Sequence, residues 1–330
     1  MSVISVLVSI YKNEGNIIPF YEDFITNIVP FIKSHGDDYE LIMINDDSPD
    51  SSWQIMKDIV MQDNHIKLIR LSRNFGAVAA TFTGLQYASG DCITVKSCDL
   101  QEPASLTIDM YREWKNGAKT IFAVRSDRND SFWGDIASKL YYLIVRKMID
   151  HSMPKGGFDI YMIDKDVKDQ IVKMNDKNSN IALQLMWLGF HPQKIYYTRL
   201  KRKIGKSSWT FSKKMKYFID SLIAFSYVPI RAMSMFGIIF VVFALIFGLQ
   251  VIWAKLTGHI NVPGYTTLLV ILLFSAGMIM FTLGIIGEYI WRTMEASRNR
   301  PMSVVRDAIN FGDKSQGEGV QFLCETTSSM

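Results

Sequence analysis

The sequence predicts an α/β protein: a Rossmann-like, mostly parallel sheet with flanking helices, followed by interfacial amphipathic helices and a two-helix transmembrane hairpin. Three observations carry that prediction. Short apolar runs alternate with segments of helical period from Val3 to Val124, the pattern of a parallel sheet wrapped by helices. Polar residues collect directly after each apolar run. Two uncharged stretches, Ala232–Ala254 with 23 residues and Ile260–Gly287 with 28, exceed the ~20 residues a helix needs to cross a bilayer.

The strands are expected at Val3–Ile10, Tyr39–Asn45, Ile66–Leu71, Asp91–Lys96 and Lys119–Val124, each a short, mostly apolar run bounded by polar residues. Helical spacing marks Asn16–Lys33, Ser52–Gln62, Ala77–Ala88 and Ala104–Asn116, each ended by polar or glycine breaks. An apolar helix is expected over Ser131–Asp150, and a further strand over Asp159–Ile163.

Open parallel sheets bind ligands beyond the carboxyl ends of their strands, and the polar residues fall there. The first strand runs into Tyr11, Asn13 and Glu14. The second leads to Asp46, Asp47 and Asp50, and the third to Arg73, Asn74 and Gly76. The fourth ends in the stretch TVKSCDLQEP, with Asp99, Gln101 and Glu102, and the fifth in Arg125 and Arg128. Carboxylates and arginines on one edge suit a substrate that carries a bound cation and phosphates. Asp99 and Gln101 can present oxygens to Mg²⁺ or Mn²⁺, which keep several waters and bridge to substrate phosphates. Asp46 or Asp47 can accept from a ring N–H or a ribose hydroxyl, and the arginines can stabilise a departing diphosphate. The competing reading of the stretch is a metal-independent turn in which Asp99 caps the helix that starts after Pro103.

The C-terminal part reads as a membrane anchor. Phe211, Met215, Phe218, Leu222 and Phe225 recur at helical steps with Lys213, Lys214 and Lys216 mostly off their face, the pattern of a helix in the membrane interface. From Arg199 to Lys216 there are eight basic residues and no acid, suited to phosphates and to an anionic leaflet. Arg231 precedes the first apolar stretch and Arg292, Arg298, Arg300 and Arg306 follow the second, so both ends are expected on the cytoplasmic side. The domains read as a catalytic domain over 1–205, a juxtamembrane helix over 206–230, two spans within 231–291 (about 232–254 and 267–288) and a cytoplasmic tail over 292–330. The end of that tail, GEGVQFLCETTSSM, is expected to be weakly ordered.

Composition removes several classes. The 36 basic and 32 acidic residues leave a net charge of +4, and nothing in their placement predicts a nucleic-acid partner. Cys92, Cys98 and Cys324 have no paired or zinc-type spacing, which fits a reducing compartment and argues against disulfides and a thiolate metal site. No two of the five histidines stand at ligand spacing. The N-terminus carries no secretory signal pattern.

The segments VLVSIYKNEGNI, INDDSPDSS, LSRNFGAVAATFTGL, DLQEP, VRSDRNDSFW and RKIGKSSWTF occur in the order seen in family 2 glycosyltransferases of the polyprenyl-phosphate type. Over residues 3 to about 230 the chain resembles that family, and the paired apolar stretches resemble its bacterial branch. The resemblance implies a GT-A fold that moves a sugar, a hexose such as glucose, from a nucleotide sugar, commonly UDP-linked, to undecaprenyl phosphate with inversion. It implies an enzyme of the inner (plasma) membrane, multi-pass, with a cytoplasmic catalytic domain, feeding cell-surface polysaccharide or lipopolysaccharide modification. Self-association as a homo-oligomer is compatible with it.

By the same resemblance, Asp46 sits against the nucleobase, Asp99 and Gln101 hold the metal, and Arg73 lies near the nucleotide, with Tyr11, Asn13, Glu14, Asn74 and Ser97 lining the donor site. Arg125, Arg128 and Arg202 face phosphates, and Asp159 matches a carboxylate of the acceptor loop. Arg199, Lys206, Ser207, Lys213 and Lys214 face the lipid phosphate or the leaflet. Three positions depart from the family pattern. Ser97 stands where an aspartate is usual, which leaves its place as ligand to water or Glu102. Tyr161 stands where arginine is common, and Ser208 with Trp209 replaces the usual Lys and Tyr, with Lys206 supplying charge. Two rival readings are a processive polysaccharide synthase, against which QLMWLG lacks the expected arginine, and a non-catalytic membrane adaptor built on the same scaffold.

Overall fold

β1 (Val3–Ile10) enters the sheet with Ile4, Val6, Val8 and Ile10 fully buried, and Leu7 buried among them. A strand apolar on both faces belongs in the interior of a parallel sheet covered on both sides. β2 (Asp38–Asn45) and β4 (Cys92–Val95) flank β1 in parallel, and β3 (Ile66–Leu71) lies parallel outside β2. The computed structural model describes residues 1–126, 157–176, 180–200, 264–298 and 300–311, with 143, 146, 153, 154, 235–240 and a scatter of positions between 242 and 257.

Four more strands complete the sheet. They are β5 (Thr120–Arg125), β6 (Phe158–Asp164), β7 (Gln193–Tyr197) and β8 (Val305–Ile309). The order is β7-β5-β6-β4-β1-β2-β3-β8. β6 runs antiparallel to β4 and β5, β8 runs antiparallel to β3, and β7 is parallel to β5, so the sheet is mixed. β6 brings its start, Asp159, to the edge where the parallel strands end.

Helices cover both faces. α1 (Glu14–Asp23), a π-helical turn (Phe24–Ile28), α2 (Val29–Ser34), α3 (Ser52–Val60) and α5 (Ala104–Lys115) bury Phe20, Phe24, Met56 and Tyr111 in one core with Val6 and Met43. The single helix expected over Asn16–Lys33 is broken at Pro30, whose missing N–H removes an i→i−4 bond; the turn before it widens to the π form. α4 (Ala77–Tyr87) lies on the opposite face. A Cβ on its Gly84 would stand 3.0 Å from Ile44 Cδ1 and 3.2 Å from Leu7 Cδ1, so a small residue lets this helix seat closely on β1 and β2. α6 (Lys165–Met174) and α7 (Ile181–Trp187) carry side-chain N-caps, Asp164 to Asp166 N and Asn180 to Ala182 N.

The chain divides into two units, Met1–Met215 with Pro301–Met330, and Lys216–Arg300. The second contains α8 (Tyr265–Ser297), within which Phe274–Ser297 is long and apolar enough to cross a membrane. It continues nine residues past the expected span end at 288. Described positions between Met235 and Leu256 are helical, and the Phe240 ring lies 5.6 Å from that of Phe274. The helix expected at Ser131–Asp150 lies almost wholly outside the described residues. So do much of the span at 232–254, the amphipathic helix at 206–230, the terminal segment, and Arg128, Arg202, Lys206, Ser207, Lys213 and Lys214.

Candidate active site

The ends of β1 and β2 are laced together. Lys12, at φ +55°, donates its N–H to Ser48 Oγ at 2.7 Å. Ser51 N donates to Glu14 Oε2 at 2.9 Å, and Glu14 N to Asp50 Oδ2 at 3.3 Å. Between these loops opens a cleft of about 480 Å³ lined by Lys12, Asn13, Glu14, Asn16 and Asp50, with Gly15 and Pro49. Tyr11 stands partly exposed nearby in sequence. Glu14 and Asp50 thus shape the cleft by fixing its walls.

Asp46 is buried at the end of β2, and both its oxygens are engaged. Phe75 N donates to Oδ1 at 2.7 Å and Gly76 N to Oδ2 at 2.8 Å. Burial pushes the carboxyl above its ordinary pKa even against these two donors. Asp46 therefore clamps the loop Arg73–Gly76, where the Arg73 guanidinium stacks 4.4 Å over the Phe75 ring. Gly76, at φ +94°, opens α4 in a conformation that side-chain-bearing residues rarely adopt.

The third component is the turn after β4. Asp99 is 9% exposed, and its Oδ1 accepts from Gln101 N at 3.3 Å. It does not cap α5, whose first turn has no side-chain cap. Gln101 is tied to the segment after β7: Leu200 N donates to Gln101 O at 2.9 Å, and Gln101 Nε2 to Leu200 O at 3.3 Å. Ser97, in the place of the usual aspartate, binds the Glu102 carboxylate through its N–H at 3.2 Å and its hydroxyl at 3.1 Å. Beneath, the buried Lys96 ammonium donates to Glu102 O at 3.0 Å. Burial raises the Glu102 carboxyl and lowers the Lys96 ammonium, while Lys96 and Arg199 both pull Glu102 toward its charged form.

Burial also pushes the Cys98 thiol up to about 12.

Arg125 at the end of β5 pairs with Asp159 at the start of β6 and also bonds the Tyr197 hydroxyl. Tyr161, two residues along β6, is buried with its hydroxyl unpartnered. Asp46, Arg73, Ser97, Asp99, Gln101, Arg125, Asp159 and Arg199 all lie at the sheet edge where β1 to β5 end. Sequence reasoning did not flag Ser48 or Leu200, nor the amides of Phe75 and Gly76. Backbone donors leave no side-chain signal.

No three His, Cys, Asp or Glu side chains converge on a metal position among the described residues. The cation donors at the turn are one carboxylate, Asp99, and the Gln101 amide oxygen. That set fits Mg²⁺ or Mn²⁺ held partly by substrate phosphates, since such ions are often bound through one or two carboxylates plus substrate oxygens. Glu102 is committed to Ser97 below.

The mixed sheet thus carries a carboxylate turn and arginines at the edge where its parallel strands end. The model of glycosyl transferase family 2 matches residues 5–224, and the chain belongs to that family; it is a glycosyltransferase. It is similar to the uncharacterized glycosyltransferase YkcC of Bacillus subtilis (strain 168), 29% identical over 311 residues, 94% of this chain and 95% of the relative. It is also similar to the bactoprenol glucosyl transferase of Shigella phage SfV, 27% identical over 305 residues, 92% of this chain and 98% of the relative. Among solved structures, the mannosyltransferase PcManGT from Pyrobaculum calidifontis, in complex with GDP-Man and Mn²⁺, superposes with a TM-score of 0.44 at 13% identity over 62% of this chain and 58% of the other.

Proposed function

We propose that the chain transfers a hexose, glucose in the simplest case, from a UDP-sugar to undecaprenyl phosphate with inversion, at the cytoplasmic face of the plasma membrane. The product is a polyprenyl-phosphate-linked sugar for cell-surface glycan modification. The name of the phage relative supports the acceptor.

The observation that carries the membrane half is topological. β8 follows α8 in the chain yet pairs with β3 in the same sheet as the strands that precede residue 215. A chain with both flanks in one sheet crosses a bilayer an even number of times. If Phe274–Ser297 is one crossing, the helical positions between Met235 and Leu256 supply the other. With both flanks on one side, our reading is a catalytic domain over about 1–205, a juxtamembrane helix over 206–230, a hairpin within 231–291 and a returning C-terminal segment, on the cytoplasmic side because of the basic residues beside the apolar stretches.

The chemistry asks little of a base. A phosphomonoester with a second pKa near ~6 arrives largely as a dianion. One of its oxygens forms a bond to the anomeric carbon from the face opposite the diphosphate, and the bond from that carbon to the diphosphate oxygen breaks. The chain's residues position the reactants and stabilise charge. The cleft beside Asn13 and Asp50 takes the nucleoside, and Asp46 holds the loop that carries Arg73 and Asn74. Asp99 and Gln101 would hold Mg²⁺ or Mn²⁺, which neutralises charge on the leaving diphosphate. Arg125, Arg128 and Arg202 face phosphates, and Asp159 orients Arg125. Arg199, Lys206, Ser207, Lys213 and Lys214 serve the lipid phosphate and the leaflet.

Membranes containing the protein, supplied with undecaprenyl phosphate and a panel of nucleotide sugars with and without chelator, test the reading. Consumption of one donor, dependent on the lipid and lost with chelator, is expected. Consumption of none, or transfer indifferent to the lipid, contradicts it.

A further inference from the structure

The segment Ser303–Asn310 follows α8 and closes onto the sheet edge at β3. Its ladder covers Leu68 to Leu71 of that strand, with Leu68 opposite Ile309, Arg70 opposite Asp307 and Leu71 opposite Val305. The leading end of this segment bonds the residue before the loop Arg73–Gly76 and the helix that follows it. Ser72, the residue before the loop, donates its N–H to Val304 O at 2.9 Å. On α4, the helix the loop opens, the buried Thr83 hydroxyl lies 2.5 Å from Ser303 Oγ. Thr83 already donates to Ala79 O at 2.8 Å, so Ser303 is the donor of that pair. The third hold is Asp46, through Phe75 N and Gly76 N. The trailing end of β8 is fixed far from the loop, where Asn310 Nδ2 donates to Ile66 O at 3.0 Å.

We propose that Ser303 and Val304 are positioning residues for the donor site: the chain returning from α8 sets the loop that presents Arg73, so nucleotide affinity depends on the C-terminal strand. The inference rests on the reading of that loop as part of the nucleotide-sugar site. Its physical basis is that one hydrogen bond fixes Ser72, the residue before the loop, and another fixes the helix that the loop opens, while Asp46 holds the loop's own amides. Loosening these supports gives the loop that carries Arg73 further conformations, and bound nucleotide has to offset that freedom.

Two full-length variants separate positioning from plain stability. Ser303→Ala removes the donor at the loop end of β8, and Asn310→Ala removes one at the far end. Each loses one hydrogen bond, so their melting temperatures should fall by similar small amounts. Hydrogen exchange at the Phe75 and Gly76 amides should speed up in Ser303→Ala and stay at the wild-type rate in Asn310→Ala. The dissociation constant of UDP with Mg²⁺ should rise about fivefold in Ser303→Ala only, the scale of one lost hydrogen bond; Ser303→Thr should restore it. Unchanged exchange at Phe75 and Gly76 in Ser303→Ala, or an equal response in Asn310→Ala, overturns the inference while the functional reading stands. A wild-type chain that binds no UDP overturns that reading and takes the donor role of the loop with it.

Discussion

Asp99 lies where β4 gives way to α5, 9% exposed, with one oxygen taken by the Gln101 amide. The proposed cation role falls to Asp99 because Glu102 is buried and bound twice by Ser97. Asp99→Asn keeps the shape and the hydrogen bond but removes the charge. Sugar transfer should fall by about 10²-fold or more, the scale of losing a preorganised electrostatic group, with the thermal melt unchanged. Retained turnover would remove Asp99 from the site. Ser97→Asp gives the opposite test. The new carboxylate would stand beside Glu102, and two like charges in a buried turn disfavour each other. The melting temperature without metal should drop by about 4 °C, and Mn²⁺ should restore it. A melt indifferent to both changes would mean that Glu102 carries no charge in the folded chain.

At the scale of elements, β1 to β5 and the first helices were legible because both periodicities are strong there: apolar runs of strand length, then helical spacing, then polar breaks. β7 was not. Its residues Gln193, Lys194 and Tyr196 are exposed, so the edge strand lacks the apolar signal of a buried one. β8 lies within the tail expected over 292–330, where VRDAI is short and pairs only on one side, so it gives no strand signal. The site divides in the same way. Side chains leaving parallel strands were readable from the rule that ligands bind at those ends, whereas Asp46 is bound by the backbone donors of Phe75 and Gly76 across 29 and 30 residues, and Gln101 is bonded to Leu200 in both directions across 99.

Gly90, between α4 and β4, shows how tightly these elements meet. A Cβ there would stand 2.6 Å from Val3 O and 2.5 Å from Ser5 Oγ, and the Gly90 N–H donates to that same hydroxyl at 2.9 Å. Backbone cannot yield as a side-chain tip can, so Gly90→Ala should destabilise the sheet by about 2 kcal/mol, read by denaturant melts. Wild-type stability would mean that β1 and β4 can separate at no cost.

In the whole molecule, the same sheet holds the strand ends that form the site and the strand that returns from an apolar helix. In the proposed reaction this sheet carries the donor site, and the acceptor comes from the membrane. Arg125 is already paired with Asp159, which holds a cation at the edge without demanding a strong base. The direct measurement is the anomeric configuration of the lipid product made by purified protein in vesicles of undecaprenyl phosphate supplied with UDP-glucose. A β-linked glucosyl phosphate, formed from the α-linked donor, is the predicted result. An α-linked product, or glucose released to water with no lipid product, would contradict in-line displacement by a lipid phosphate at this edge.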